Sequence, residues 1–165
     1  MDSGSVTGVI FLDLKKAFDT VDHTILLSDL QDAGVTGHEL RWFKSYLDQR
    51  MQATQIHSVM SEFRNIKVGV PQGSILGPLL FIIFINSLPA GVTHSGCKIS
   101  MYADDTMVMF SGFTLEELQN DMTIGLHQVT TWLRNHRLTL NVNKTKYMIF
   151  GSRHGLPLFD NIKIT

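Results

Sequence analysis

"MYADDTMVMF", residues 101–110, decides how this chain is read. Two acids, Asp104 and Asp105, stand side by side between apolar, strand-like runs. Strand interiors disfavour Asp, and adjacent carboxylates repel each other. Side chains alternate faces along a strand, so consecutive acids within one strand cannot both point the same way. At a hairpin turn that limit relaxes, and both carboxylates can project beyond the sheet. The stretch therefore predicts two apolar strands flanking a turn at residues 103–106. Taken alone, Asp-Asp is a common turn pair. Set at a strand end, it also suits a hard divalent cation, which wants oxygen ligands. A cation needs a further ligand, and Asp13, at the end of "VTGVIFLDL" (6–14), is the candidate. If the two strands are neighbours, Asp13 and Asp104 meet at one edge of the sheet.

Outward from these strands, the chain alternates helix and strand signals. "DHTILLSDLQDAG" (22–34) places Ile25, Leu26, Leu30 and Ala33 at helical spacing, with Asp22 as an N-terminal acid and Gly34 as a stop. "HELRWFKSYLDQR" (38–50) predicts a second helix with Leu40, Phe43 and Leu47 on one face. "MQATQIH" (51–57) and "SEFRNIKVGV" (61–70) predict a hairpin. "PQGSILGPLLFIIFINSLP" (71–89) opens with turn residues and continues as a buried helix over about 77–87, with Pro78 in its first turn. In "TLEELQNDMTIGLHQVTTWLRNHRL" (114–138), Thr114 and Glu117 form a capping box, and Leu118, Met122, Leu126, Val129 and Leu133 keep helical spacing. "TKYMIFGS" (145–152) is a strand, and "LPLFDNIKIT" (156–165) begins another. This order predicts an α+β, two-layer fold, with helices on one face of a mainly antiparallel sheet.

At 165 residues the chain fits one domain with a real core, and its 44% apolar content excludes disorder. A formal net charge of -1 does not mark a nucleic-acid binder. The distribution is uneven. Residues 134–165 carry Arg134, Arg137, Lys144, Lys146, Arg153 and Lys163 against Asp160, whereas residues 13–39 are mostly acidic. Solvated faces are the plainer reading of both. Cys97 is alone, so no internal disulfide forms and a reducing, intracellular compartment (cytoplasm, nucleus or both) is expected. The histidines lack zinc-ligand spacing. The longest apolar run, residues 79–85, is too short to span a bilayer, and "MDSGSVTG" is not a signal peptide.

Four segments in order carry more than any dipeptide: "FLDLKKAFD" (11–19), "GVPQGSILGPLLF" (69–81), "YADDT" (102–106) and "LTLNVNKTKYMIF" (138–150). Together they resemble the palm of reverse transcriptases, closely those of non-LTR (LINE-type) retrotransposons. The likeness extends through "FDTVDHTILL" (18–27) and over nearly the whole chain. One such motif is weak; four in order are highly specific.

The resemblance implies an RNA-directed DNA polymerase palm that performs two-metal nucleotidyl transfer. Two Mg2+ ions, or Mn2+ in their place, would be the cofactors. An RNA template, a DNA primer and a dNTP would be the partners. It implies that Asp13 and Asp104 bind the metals, with Asp105 in the same acidic turn and the backbone carbonyl of Leu14 as a further contact. Lys16 and Ala17 would turn backbone amides toward the triphosphate. Phe18 would pack under the sugar and exclude a 2′-hydroxyl, where an isolated Phe would be plain core. Gln72 and Gly73 would touch the incoming nucleotide and the template, with Pro71 and Gly77 shaping the backbone. Lys144 would protonate the leaving pyrophosphate or offset its charge; neighbouring Lys146 competes for that role. Asp19 is read as structural, and Trp42 and Trp132 as packing residues. The chain as it stands reads as one partial domain over 1–165, without fingers, primer grip or thumb. Catalysis is accordingly expected of a longer parent, the alternative being an inactive remnant that binds nucleic acid.

Overall fold

A computed structural model describes residues 5–94 and 96–151. In chain order the elements are β1 (Val6–Leu12), a 3-10 turn (Ala17–Asp19), α1 (His23–Asp32), α2 (Gly37–Leu47), then β2 (Met51–Gln52), β3 (Gln55–Ile56), β4 (Val59–Met60) and β5 (Arg64–Asn65). They continue with α3 (Leu76–Ile85), α4 (Leu88–Gly91), β6 (Cys97–Tyr102), β7 (Asp105–Gly112), α5 (Leu115–Asn135) and β8 (Lys146–Phe150). They divide into two compact units. One takes the described residues up to Lys15 and from Ser87 onward, and the other takes 16–86. The further strand read at 156–165 lies outside the described residues.

The first unit is built on a four-stranded antiparallel sheet in the order β6-β7-β1-β8. Alternation along β7 buries Thr106, Val108 and Phe110 and leaves Asp105, Met107 and Met109 more open. The register sets Leu12, Ile10 and Gly8 of β1 opposite those three buried residues. α5 covers this face. A Cβ at Gly8 would meet Met122, and one at Gly125 would lie 2.4 Å from the ring of Phe110. Small residues thus let the helix close on the sheet. Of the expected stripe, Leu118, Met122, Val129 and Leu133 are buried, whereas Leu126 is only half-buried. At its start the Glu117 N–H donates to Thr114 Oγ1 at 3.1 Å. The Glu117 carboxylate accepts from the N–H of Phe113 at 2.9 Å, one residue before the usual partner in a capping box.

In the second unit, Asp22 caps α1, its Oδ1 accepting from the N–H groups of Thr24 (2.9 Å) and Ile25 (3.1 Å). Leu26 and Leu30 are buried where α1 packs on α2 and α3. α3 begins one residue earlier than expected and ends at Ile85, with Pro78 in its first turn. The expected face of α2 is only partly covered: Leu47 is buried, Leu40 and Phe43 are half-exposed and Trp42 is 54% exposed. The hairpin over 51–65 is present but reduced to two short ladders, β2 with β5 and β3 with β4. No helix among the described residues is long and apolar enough to cross a membrane.

Candidate active site

The turn between β6 and β7 is tighter than the sequence suggested. Tyr102 pairs with Asp105, so only Ala103 and Asp104 form the loop. Ala103 takes the positive φ (54°) that a two-residue hairpin requires. Asp104 therefore stands at the tip, and Asp105 is already the first residue of β7. The β1–β7 ladder ends at Leu12 opposite Thr106. One step further out, Asp13 comes level with Asp105. Asp13 and Asp104 are half-buried and Asp105 is exposed. Among the described residues, no hydrogen bond or ion pair engages the three carboxylates.

A second tie meets the same strand end. The Asn141 N–H donates to the Asp13 carbonyl at 2.7 Å, and the Lys15 N–H donates to the Thr139 carbonyl at 2.8 Å. These bonds flank the pairing of Leu14 with Leu140. Because both bonds of that pair come from the flanking residues, Leu14 turns its own carbonyl away from Leu140. That direction is the side of β1 on which β7 lies. The N–H groups of Lys144 (3.0 Å) and Thr145 (2.9 Å) both donate to the Asn141 carbonyl, closing a turn beside Asp13. Lys144 is exposed on this turn, whereas Lys146 sits within β8 opposite Phe11. Residues 138–141 (Leu-Thr-Leu-Asn) alternate apolar and polar, but over too short a run to name β1 as their partner.

The remaining candidates belong to the second unit. Lys16 takes a left-handed conformation (φ 49°, ψ 46°) and leads into the 3-10 turn. Left-handed then helical geometry turns successive amides toward one concave point, a shape suited to anions. The Phe18 ring stacks on Phe81 at 4.4 Å and 26°. The segment around Phe18 is laced to "GVPQG": the Val70 N–H donates to the Phe18 carbonyl (2.8 Å) and the Gly69 N–H to the Val21 carbonyl (2.7 Å). At Gly69 (φ 90°) a Cβ would fall 2.7 Å from the Asp19 carbonyl, so only glycine fits. Gln72 Nε2 donates to Asp19 Oδ1 at 2.7 Å, a link across 53 positions of sequence. Ser74 Oγ bridges the Pro71 carbonyl (2.7 Å) and the Gly77 N–H (3.0 Å), which closes the turn carrying Gly73.

The donor set at the β1 and β6–β7 ends is all carboxylate and carbonyl oxygen, the chemistry of a hard cation. Among the described residues no three His, Cys, Asp or Glu side chains converge as a metal cage. Mg2+ is normally held by one or two carboxylates together with water and substrate phosphates, so this set fits it.

Residues 1–157 match the family described as reverse transcriptase (RNA-dependent DNA polymerase). The chain is 27% identical to the probable RNA-directed DNA polymerase from transposon X-element of Drosophila melanogaster, over 94% of this chain and 17% of that protein. It is 30% identical to the RNA-directed DNA polymerase from mobile element jockey of the same fly, over 88% of this chain and 16% of the relative. The chain thus spans about a sixth of the length of these curated relatives. Among solved structures, apo telomerase from Candida tropicalis superimposes with a TM-score of 0.68 at 13% identity, covering 89% of this chain and 31% of that one. At that identity the likeness concerns the fold.

Proposed function

The chain belongs to the reverse transcriptase family, related to the polymerases of non-LTR retrotransposons, and we propose that it is the metal- and nucleotide-holding part of an RNA-directed DNA polymerase. Reverse transcriptases generally use divalent metals. The observation that carries this reading is the pairing of Leu12 with Thr106, which brings Asp13 level with Asp105 beside the Asp104 turn.

Asp13 and Asp104 would hold two Mg2+ ions, with the Leu14 carbonyl as an added contact and Asp105 keeping the turn negative. When bound, such ions lower the pKa of a primer 3′-hydroxyl and offset charge on the departing pyrophosphate. In the transfer, the 3′ oxygen bonds to the α-phosphorus of the dNTP. The bond from that phosphorus to the β-phosphate oxygen breaks, and the hydroxyl proton passes to water. Lys144 donates a proton to the pyrophosphate or offsets its charge. The amides of Lys16 and Ala17 face the triphosphate. The Phe18 ring, backed by Phe81, packs under the sugar where a 2′-hydroxyl would collide. Gln72 and Gly73 contact the incoming nucleotide and the RNA template. Most of the catalysis then comes from positioning and charge stabilisation.

Titrating the isotope-labelled chain with Mn2+ tests the reading. Broadening of amide signals should concentrate at residues 13, 104–106 and 141–145, and Asp104→Asn should weaken Mn2+ binding by about tenfold or more. Broadening centred instead on the acids of α1, Asp29 and Asp32, would overturn it.

A further inference from the structure

The bond from Gln72 Nε2 to Asp19 Oδ1 joins side chains 53 residues apart in sequence. A carboxylate only accepts hydrogen bonds, so the carboxamide must turn its NH2 toward Asp19 and its oxygen outward. At 2.7 Å it is a short, charge-assisted bond. Its frame is held from both sides by the backbone bonds of Gly69 to Val21 and of Val70 to Phe18. The pair lines a cavity of about 650 Å3, together with Arg50 and Gln52, which is ample for a nucleoside.

We propose that Asp19 is a positioning residue that holds the Gln72 carboxamide so that its carbonyl oxygen is presented to a hydrogen-bond donor on the bound nucleotide. This rests on the reading of Gln72 as a nucleotide contact. Asp19 then acts through Gln72 and touches no reacting atom. A free glutamine would offer either end of its amide and lose side-chain entropy on binding. The held one offers a single acceptor, already oriented.

Electrostatics alone predicts the opposite effect for one substitution. Asp19 is an anion, so Asp19→Ala should tighten binding of an anionic triphosphate if charge is all that matters. Positioning predicts a loss. Affinity of the chain for Mg-dATP and for inorganic tripolyphosphate is measured in the unaltered protein, Asp19→Ala, Gln72→Ala and the double variant. Asp19→Ala should weaken Mg-dATP binding about threefold to tenfold, the range expected for one net hydrogen bond. The double variant should be no weaker than Gln72→Ala, because the two residues act as one unit. Tripolyphosphate, which has neither sugar nor base, should bind all four alike or the Asp19→Ala proteins slightly tighter.

In nuclear magnetic resonance spectra the Gln72 side-chain NH2 pair should stand apart from free glutamine and move to that position in Asp19→Ala. Backbone signals distant from residues 18–22 and 68–72 should remain unchanged. Additive losses in the double variant, tighter dATP binding by Asp19→Ala, or an NH2 pair unmoved by that change would each overturn the proposal. If the NH2 pair moves but Gln72→Ala binds dATP normally, or the unaltered chain binds none, positioning stands and the nucleotide role of Gln72 fails.

Discussion

The backbone N–H of Asn141 donates to the carbonyl of Asp13 at 2.7 Å, so the turn bearing Lys144 is anchored to the residue that follows β1. Lys146, two residues on, is instead committed to the β8 ladder opposite Phe11. In a polymerase carrying this region, Lys144→Ala should lower kcat by about 100-fold with little change in KM, the size expected for a lost general acid. Lys146→Ala should stay within about twofold, as expected of an exposed strand residue that touches no reacting group. Single-turnover incorporation rates check both, and equal losses at the two positions would remove Lys144 from the mechanism.

Phe18 is half-buried and has one ring face against Phe81. The stack holds the ring that we propose packs under the sugar. Phe18→Val should narrow the affinity difference between dATP and ATP by about tenfold, because a collision is relieved only for the ribonucleotide. Competition binding of the two nucleotides is the measurement. An unchanged ratio would leave Phe18 as packing alone.

Gly125 and Gly8 both face crowded space, yet substitution should affect them differently. A Cβ at Gly125 meets the ring of Phe110, which is fully buried and has nowhere to go. One at Gly8 meets the sulfur and terminal methyl of Met122 and lies 3.3 Å from Leu118 Cδ1; Met122 is buried too, but the contact is with the flexible end of its long side chain. Gly125→Ala should cost about 1–2 kcal/mol, an overpacking penalty reduced by alanine's helix preference. Gly8→Ala should be nearly neutral. Thermal unfolding of the two variants decides, and equal shifts would contradict this account of the α5 contact.

Asp29 introduces a pH dependence. Burial, and then the neighbouring Asp32 charge, push its carboxyl up to about 6, and one of its oxygens is buried with no hydrogen-bond partner among the described residues. Its folded pKa lies above the ordinary value, so the folded state holds the proton more tightly than the unfolded state. Its favourable contribution is full below about pH 4 and is lost as the pH rises through 6. Asp29→Asn removes this slope. Relative to the unaltered chain it should gain up to about 1 kcal/mol between pH 4 and pH 7.5, a figure lowered because the group is only partly buried and solvent screens it. Unfolding midpoints at both pH values test this, and a gain that shrinks with rising pH would refute the assignment.

Much of this protein was legible in the sequence because it is local. Asp22 and Thr114 cap helices through bonds to residues two or three positions away. The alternation in β7 and the spacing in α5 follow from each element's own period. Four motifs in fixed order carried the family. Tertiary structure decided what lies between distant segments. It set β1 beside β7, across more than ninety positions of sequence, and so brought Asp13 level with Asp105. It bound Asn141 to Asp13 and Gln72 to Asp19, although neither partner's local sequence hints at the other. It also left the predicted apolar face of α2 half-open, because periodicity states which residues share a face but not whether anything packs there. Capping and alternation depend on neighbours along the chain. Register, cross-links and burial depend on which surfaces meet, and that is decided only when the whole chain folds.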